Sequence, residues 1–200
     1  MRIRQIAGHQ LQTLLVVGLF AAGCVLTARA QGPASTKEQP EITAGFKVFL
    51  DRVGTYVTLH KSIESSLPAV KSTDLPELIK AHQLALERKI REARPNAKRG
   101  EIFTEDVRKA FRITIREAFR GPQGRNARTT IRQGAPLTKL HLQVNQPYPD
   151  GVPFTTVPPT LLLNLPKLPD QVAYRIVGRD LILLDVAANL VVDEIPEAIP

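Results

Sequence analysis

Arginine is the residue type whose spacing most suggests chemistry in this chain. Arg108, Arg112, Arg116 and Arg120 recur every four residues, a repeat that on an α-helix forms one ridge drifting about 40° per step. Val107, Phe111, Ile115 and Phe119 make the adjoining apolar ridge, so one helix has a face to bury beside a face to charge. Arg112 and Arg116 have no carboxylate three or four residues away on either side. Like charges at that spacing repel by about 0.2–0.5 kcal/mol per pair. Something outside the helix should neutralise them, either the acidic C-terminal segment of the same chain or an external anion. A phospholipid head group, lipopolysaccharide, a peptidoglycan carboxylate and a nucleic acid phosphate all qualify chemically. These four arginines are the candidate residues for binding an anion or a partner; the plainer reading is a solvated helix face or an internal salt-bridge seam.

No residue is assigned a catalytic, cofactor-binding or metal-binding role. The only cysteine, Cys24, and the only methionine, Met1, precede residue 31, so the chain beyond has no thiol for nucleophilic catalysis, disulfides or cysteine-type metal sites. There is no G-x-S-x-G elbow and no S-x-x-K; Ser62, Ser65, Ser66 and Ser72 read as cap and linker residues, and His60 would lie on the opposite helix side from Ser62. No two histidines fall within twenty residues of each other, against the spacing of local zinc motifs. The glycines are isolated and form no phosphate loop. Asp180, Asp185, Asp193 and Glu194 cluster near the C-terminus. The first two read as turn residues that keep the ends of a strand wet, and Asp193-Glu194 reads as surface. An enzymatic alternative would pair His141 with these aspartates.

The chain has 200 residues, and its start reads as an export signal. Arg2 and Arg4 precede the apolar stretch Leu11 to Leu26, which ends at Ala28-Arg29-Ala30 with cleavage expected between Ala30 and Gln31. That stretch of 16 residues is short for a span of roughly 20. A lipoprotein anchored at Cys24 is the alternative. Beyond residue 30 there are 24 basic and 19 acidic side chains, a net +5, and residues 86–132 alone hold 14 basic and 6 acidic ones. Positive charge is therefore concentrated around the arginine ridge. Nucleic acid ranks last among these partners, because the expected compartment lacks it and no aromatic stacking platform is evident.

Ile42, Phe46, Phe49, Val53, Val57, Ile63 and Leu67 predict a helix over about Glu41 to Ser66. Asp74-x-x-Glu77 with Pro76 resembles a capping box opening a second helix to about Ala93. A third begins with Thr104 as N-cap and runs to Phe119. Gln123 to Ala135 is polar and arginine-rich without a clear period, and eight prolines fall between Pro136 and Pro169, a density that excludes long helices there. Within that region Lys139 to Asn145 alternates as a half-buried strand, and Thr160 to Leu165 suits one helical turn plugging the core. Val172 to Val177, Asp180 to Leu184 and Leu190 to Ile195 predict an antiparallel meander, with Gly178-Arg179 as a type II′ turn. Helices followed by strands define an α+β fold, about three helices on a small C-terminal antiparallel sheet, with residues 31–200 as a single domain.

The words Leu161-Leu162-Leu163, Leu165-Pro166, Tyr174-Arg175, Val177-Gly178-Arg179-Asp180 and Asn189-Leu190-Val191-Val192-Asp193 carry a resemblance over Val157 to Pro200. This stretch resembles the characteristic ending of an uncharacterised family of small exported bacterial proteins. More loosely, Tyr174-Arg175-x-Val177-Gly178-x-Asp180 followed by Asp185 is similar to the terminal hairpin of periplasmic nickel and cobalt homeostasis proteins, although this chain lacks a His-rich segment. The first resemblance implies an exported envelope protein and no activity; the second implies an accessory role in metal homeostasis. The residues themselves point to a non-catalytic binding or structural protein that engages an anionic envelope component or a protein partner without a cofactor.

Overall fold

α1, Glu38–Ser65, buries Gly45, Phe49, Val53, Tyr56, Val57 and His60, three- and four-residue steps that make one helical stripe. In the computed structural model residues 38–71, 75–134, 140 and 142–200 are described. The segment read as an export signal, with Cys24 and the Ala30-Gln31 bond, Asp74 of the expected capping box, Ser72, Lys139 and His141 lie outside them. α2, Pro76–Ala93, opens with its proline in the first turn and buries Leu86, Glu87 and Ile90 near its end. α3, Glu105–Ala118, follows Thr104 as N-cap, whose side chain makes no capping bond. α1 and α3 cross closely at Gly45, where a Cβ would lie 2.6 Å from that of Ala110. Phe49, Phe103, Phe111 and Tyr174 stack edge and face around that crossing, joining the helices to the sheet.

The arginine-rich stretch expected to lack regular structure is a fourth helix, α4, Gly121–Gln133. Gly121, at φ 75°, turns the chain out of α3, and Pro122 suits the first turn. Only Gly124, Ala127 and Ile131 are buried. Two of these three are too small to register as a hydrophobic period, so the stripe was invisible in the residue pattern. The helical half thus runs about a dozen residues further than expected, and α5, Pro159–Leu162, supplies the predicted core-plugging turn by burying Leu161.

The sheet has the order β1-β2-β3-β4, all antiparallel. β1 is Thr155–Thr156, β2 Val172–Val177, β3 Asp180–Asp185 and β4 Leu190–Ile195. Gly178, at φ 61°, makes the β2–β3 turn, and Arg179 keeps a non-positive φ, as a type II′ turn requires. Leu183 faces Asp193 while Leu184 faces Val191, so Val192 is the extra residue of a bulge. The helices cover one face. Leu142 and Tyr148, with Leu140 and Val152, cover the other over Val177, Ile182, Leu184 and Val191, which is why β3 and β4 are buried without alternation.

The strand expected over Lys139 to Asn145 does not form across its described residues. Asn145 adopts φ 62° and the chain pairs with β4 only from that residue on, with Asn145 N–H donating to the Val191 carbonyl at 2.8 Å and Tyr148 N–H to that of Asn189 at 2.8 Å. Pro147, opposite Leu190, has no N–H to donate. Among the described residues no helix is long and apolar enough to cross a membrane.

Candidate functional site

α3 is buried along Val107, Ala110, Phe111, Thr114 and Ile115, which leaves its arginines on the outer flank. Arg108, Arg112 and Arg116 line an open groove of about 610 Å³ together with Arg99, Lys109, Glu105, Ile113 and Pro196. Arg120 does not line it. It pairs with Glu117 at 2.8 Å one turn back.

Three of the five cations in the groove have carboxylate partners. Arg108 pairs with Glu105, and Lys109 reaches Glu41 of α1 at 3.0 Å. Arg99 Nε donates to Glu194 at 2.7 Å. Arg112 donates instead to a neutral acceptor, the Pro196 carbonyl, at 2.9 Å. Among the described residues Arg116 has no hydrogen-bond or ion-pair partner. The two arginines without a carboxylate at helical spacing are therefore the two that bring uncompensated charge to the groove. The acidic meander does not neutralise them.

The charge of the groove is felt by its own carboxylate. Glu105 is held below its ordinary range by the hydrogen bond and charge of Arg108, with Arg112 adding to the effect. Lys109 is raised by Glu41. Burial pushes Glu194 up, against the pull of Arg99. Guanidinium groups presented in this way suit phosphate or carboxylate, which accept two parallel N–H bonds.

The carboxylates read as wet or surface are instead interior: Asp185 and Asp193 are fully buried and Glu194 nearly so. Asp185 Oδ2 accepts from Tyr56 Oη and lies 2.6 Å from His60 Nδ1, and its Oδ1 accepts from Ala188 N–H at 2.9 Å. Asp193 accepts four backbone N–H groups, from Gly100, Ile102, Phe103 and Glu194. Asp180 accepts from the Glu197 N–H at 2.8 Å. Asp185 and Asp193 thus have both carboxylate oxygens engaged. Tyr56, raised by burial and then by Asp185, stays a phenol. The trio pins α1 to the sheet. The signal for it lay in Tyr56 and His60 falling on the apolar stripe of α1.

A buried arginine that the residue pattern did not single out lies nearby. Arg94 donates through Nη2 to Glu101 at 2.9 Å and sits over the Tyr56 ring, 5.1 Å from its centroid. Among the described residues no group of three or more histidine, cysteine or acidic side chains could hold a metal ion. No family model, curated protein or solved structure matches the chain.

Proposed function

We propose that the protein is a non-catalytic binding module of the bacterial envelope that captures an anionic group of an envelope component or partner in the α3 groove. The observation that carries this reading is the pair Arg112 and Arg116, which bring two charges without carboxylate partners to a groove already lined by Arg99, Arg108 and Lys109. An envelope location is supported by the basic start, apolar stretch and A-x-A site before Gln31, and by the resemblance of the C-terminal stretch to exported proteins.

The test is calorimetric titration with inorganic triphosphate, a soluble polyanion, over a salt series. Wild type should bind, more weakly as salt rises. Arg112→Gln/Arg116→Gln should weaken binding by at least tenfold, since each charged hydrogen bond contributes about 1.5–3 kcal/mol. Arg108→Gln/Arg120→Gln should weaken it less, because both side chains already have glutamate partners. No binding, or equal losses in the two double variants, would remove the groove from consideration.

A further inference from the structure

The side of the molecule built from α4 and α5 carries a second charged surface, none of whose residues lines the α3 groove. Arg125, Arg128 and Arg132 fall at three- and four-residue steps along α4, within about 60° of arc on a helix of 100° per residue. Their stripe runs beside the buried one of Gly124, Ala127 and Ile131. None has an ion-pair partner among the described residues. Residues 121–134 contain no Asp or Glu, and neither do residues 155–169.

α5 packs against α4 through Leu161, which is buried in one cluster with Ala127 and Ile131. The next two residues turn outward: Leu162 is 50% exposed and Leu163 86%. Both line an apolar groove of about 570 Å³ together with Pro166 and Leu168, with Lys167 and Arg175 as its cations. Two adjacent leucines this exposed, lining an apolar groove, mark a site of contact.

We infer that α4 and α5 form a docking surface for an anionic phospholipid bilayer, with the α4 arginines meeting head groups and Leu162 and Leu163 entering the boundary with the acyl chains. The charge and the apolar surface together select this occupant. A polysaccharide or a free phosphate would satisfy the arginines and leave the leucines in water, whereas an anionic bilayer receives both. Attachment is peripheral, in keeping with the lack of a spanning helix among the described residues.

The chain contains no tryptophan, so Leu163→Trp installs a single fluorescent reporter at the proposed point of entry, and Leu84→Trp on α2, at a leucine also 50% exposed, serves as the control. Each protein, purified with whatever N-terminus the cell leaves, is titrated with phosphatidylglycerol vesicles and with phosphatidylcholine vesicles over a salt series. The expected result is a blue shift at position 163 on the anionic vesicles only, weakening with salt, and little shift at position 84. Arg125→Gln/Arg128→Gln/Arg132→Gln in the Leu163→Trp background should weaken that response by roughly a hundredfold, from about fivefold per charge near the surface. Lys47→Gln/Lys61→Gln, at two exposed lysines of α1, should leave it nearly unchanged. No shift at 163, equal shifts at 163 and 84, or undiminished binding by the folded α4 variant would overturn the inference. Loss of vesicle binding in the Arg112→Gln/Arg116→Gln protein alone would assign the membrane contact to the α3 groove instead, and triphosphate binding by that groove stands or falls separately.

Discussion

Asp193 holds a loop to the sheet through both of its oxygens, and Asp185 holds α1 to it through Oδ2. For Asp193, Oδ1 accepts from Gly100 and Glu194 N–H and Oδ2 from Ile102 and Phe103 N–H, at 2.8–2.9 Å. This carboxylate organises the loop that ends α2 and presents Arg99 to the groove. Asp193→Asn keeps the shape, but its amide nitrogen must face two N–H donors, so one pair is left unsatisfied in the interior. The expected loss is about 3–5 kcal/mol in urea unfolding, close to that of Asp193→Ala, because an orphaned buried donor forfeits about 1–3 kcal/mol. An Asn variant as stable as wild type would refute this role. The chain showed Asp193 plainly but not its burial. That burial follows from the bulge at Val192 and from backbone amides 90 or more positions away.

At the scale of elements, α4 depends on a close approach that its own residues do not announce. A Cβ on Gly124 would lie 2.2 Å from the Phe119 carbonyl oxygen, which is backbone and cannot rotate aside. Helix propensity favours alanine over glycine by about 1 kcal/mol, yet Gly124→Ala should destabilise the protein by about 1–3 kcal/mol through overpacking. Gly54→Ala on α1 is the matched contrast, since nothing lies within 4 Å of a Cβ there, and it should stabilise by about 0.5–1 kcal/mol. Opposite shifts in melting temperature are expected, and a rise for both would show that α4 can back away from α3. The other long helices were legible because each buries large apolar side chains at regular steps. The stretch Lys139 to Asn145 alternates as a strand would, but the chain pairs with β4 only from the left-handed Asn145 through Tyr148, around Pro147.

For the whole molecule, the helical layer is fastened to the sheet by the His60–Asp185 contact, which spans 125 positions of chain. Burial pushes His60 down, but the hydrogen bond and charge of Asp185, with Glu64 adding, leave it above its ordinary value. Tyr56 shares the same carboxylate, and Arg94 lies over the Tyr56 ring. A histidine raised on folding contributes stability that is fully present below its unfolded value and is lost as pH rises through its folded one. Wild type should therefore exceed His60→Gln by about 2 kcal/mol near pH 6, from a buried charged hydrogen bond, and by less as pH rises past neutrality. Unfolding of both proteins from pH 5.5 to 9 measures this, and a pH-independent gap would show that His60 is held neutral. What the residues determined by themselves is whatever is local: the first three helices, the II′ hairpin and its meander, the α+β order, and which two arginines have no partner within their helix. The tertiary structure decided what depends on distant parts of the chain, namely the burial of Asp185, Asp193 and Glu194, the pairing of the residues around Pro147, and the stripe that makes α4 a helix. Helical and strand periods are properties of neighbouring residues, whereas desolvation of a charge depends on what the rest of the chain brings to it.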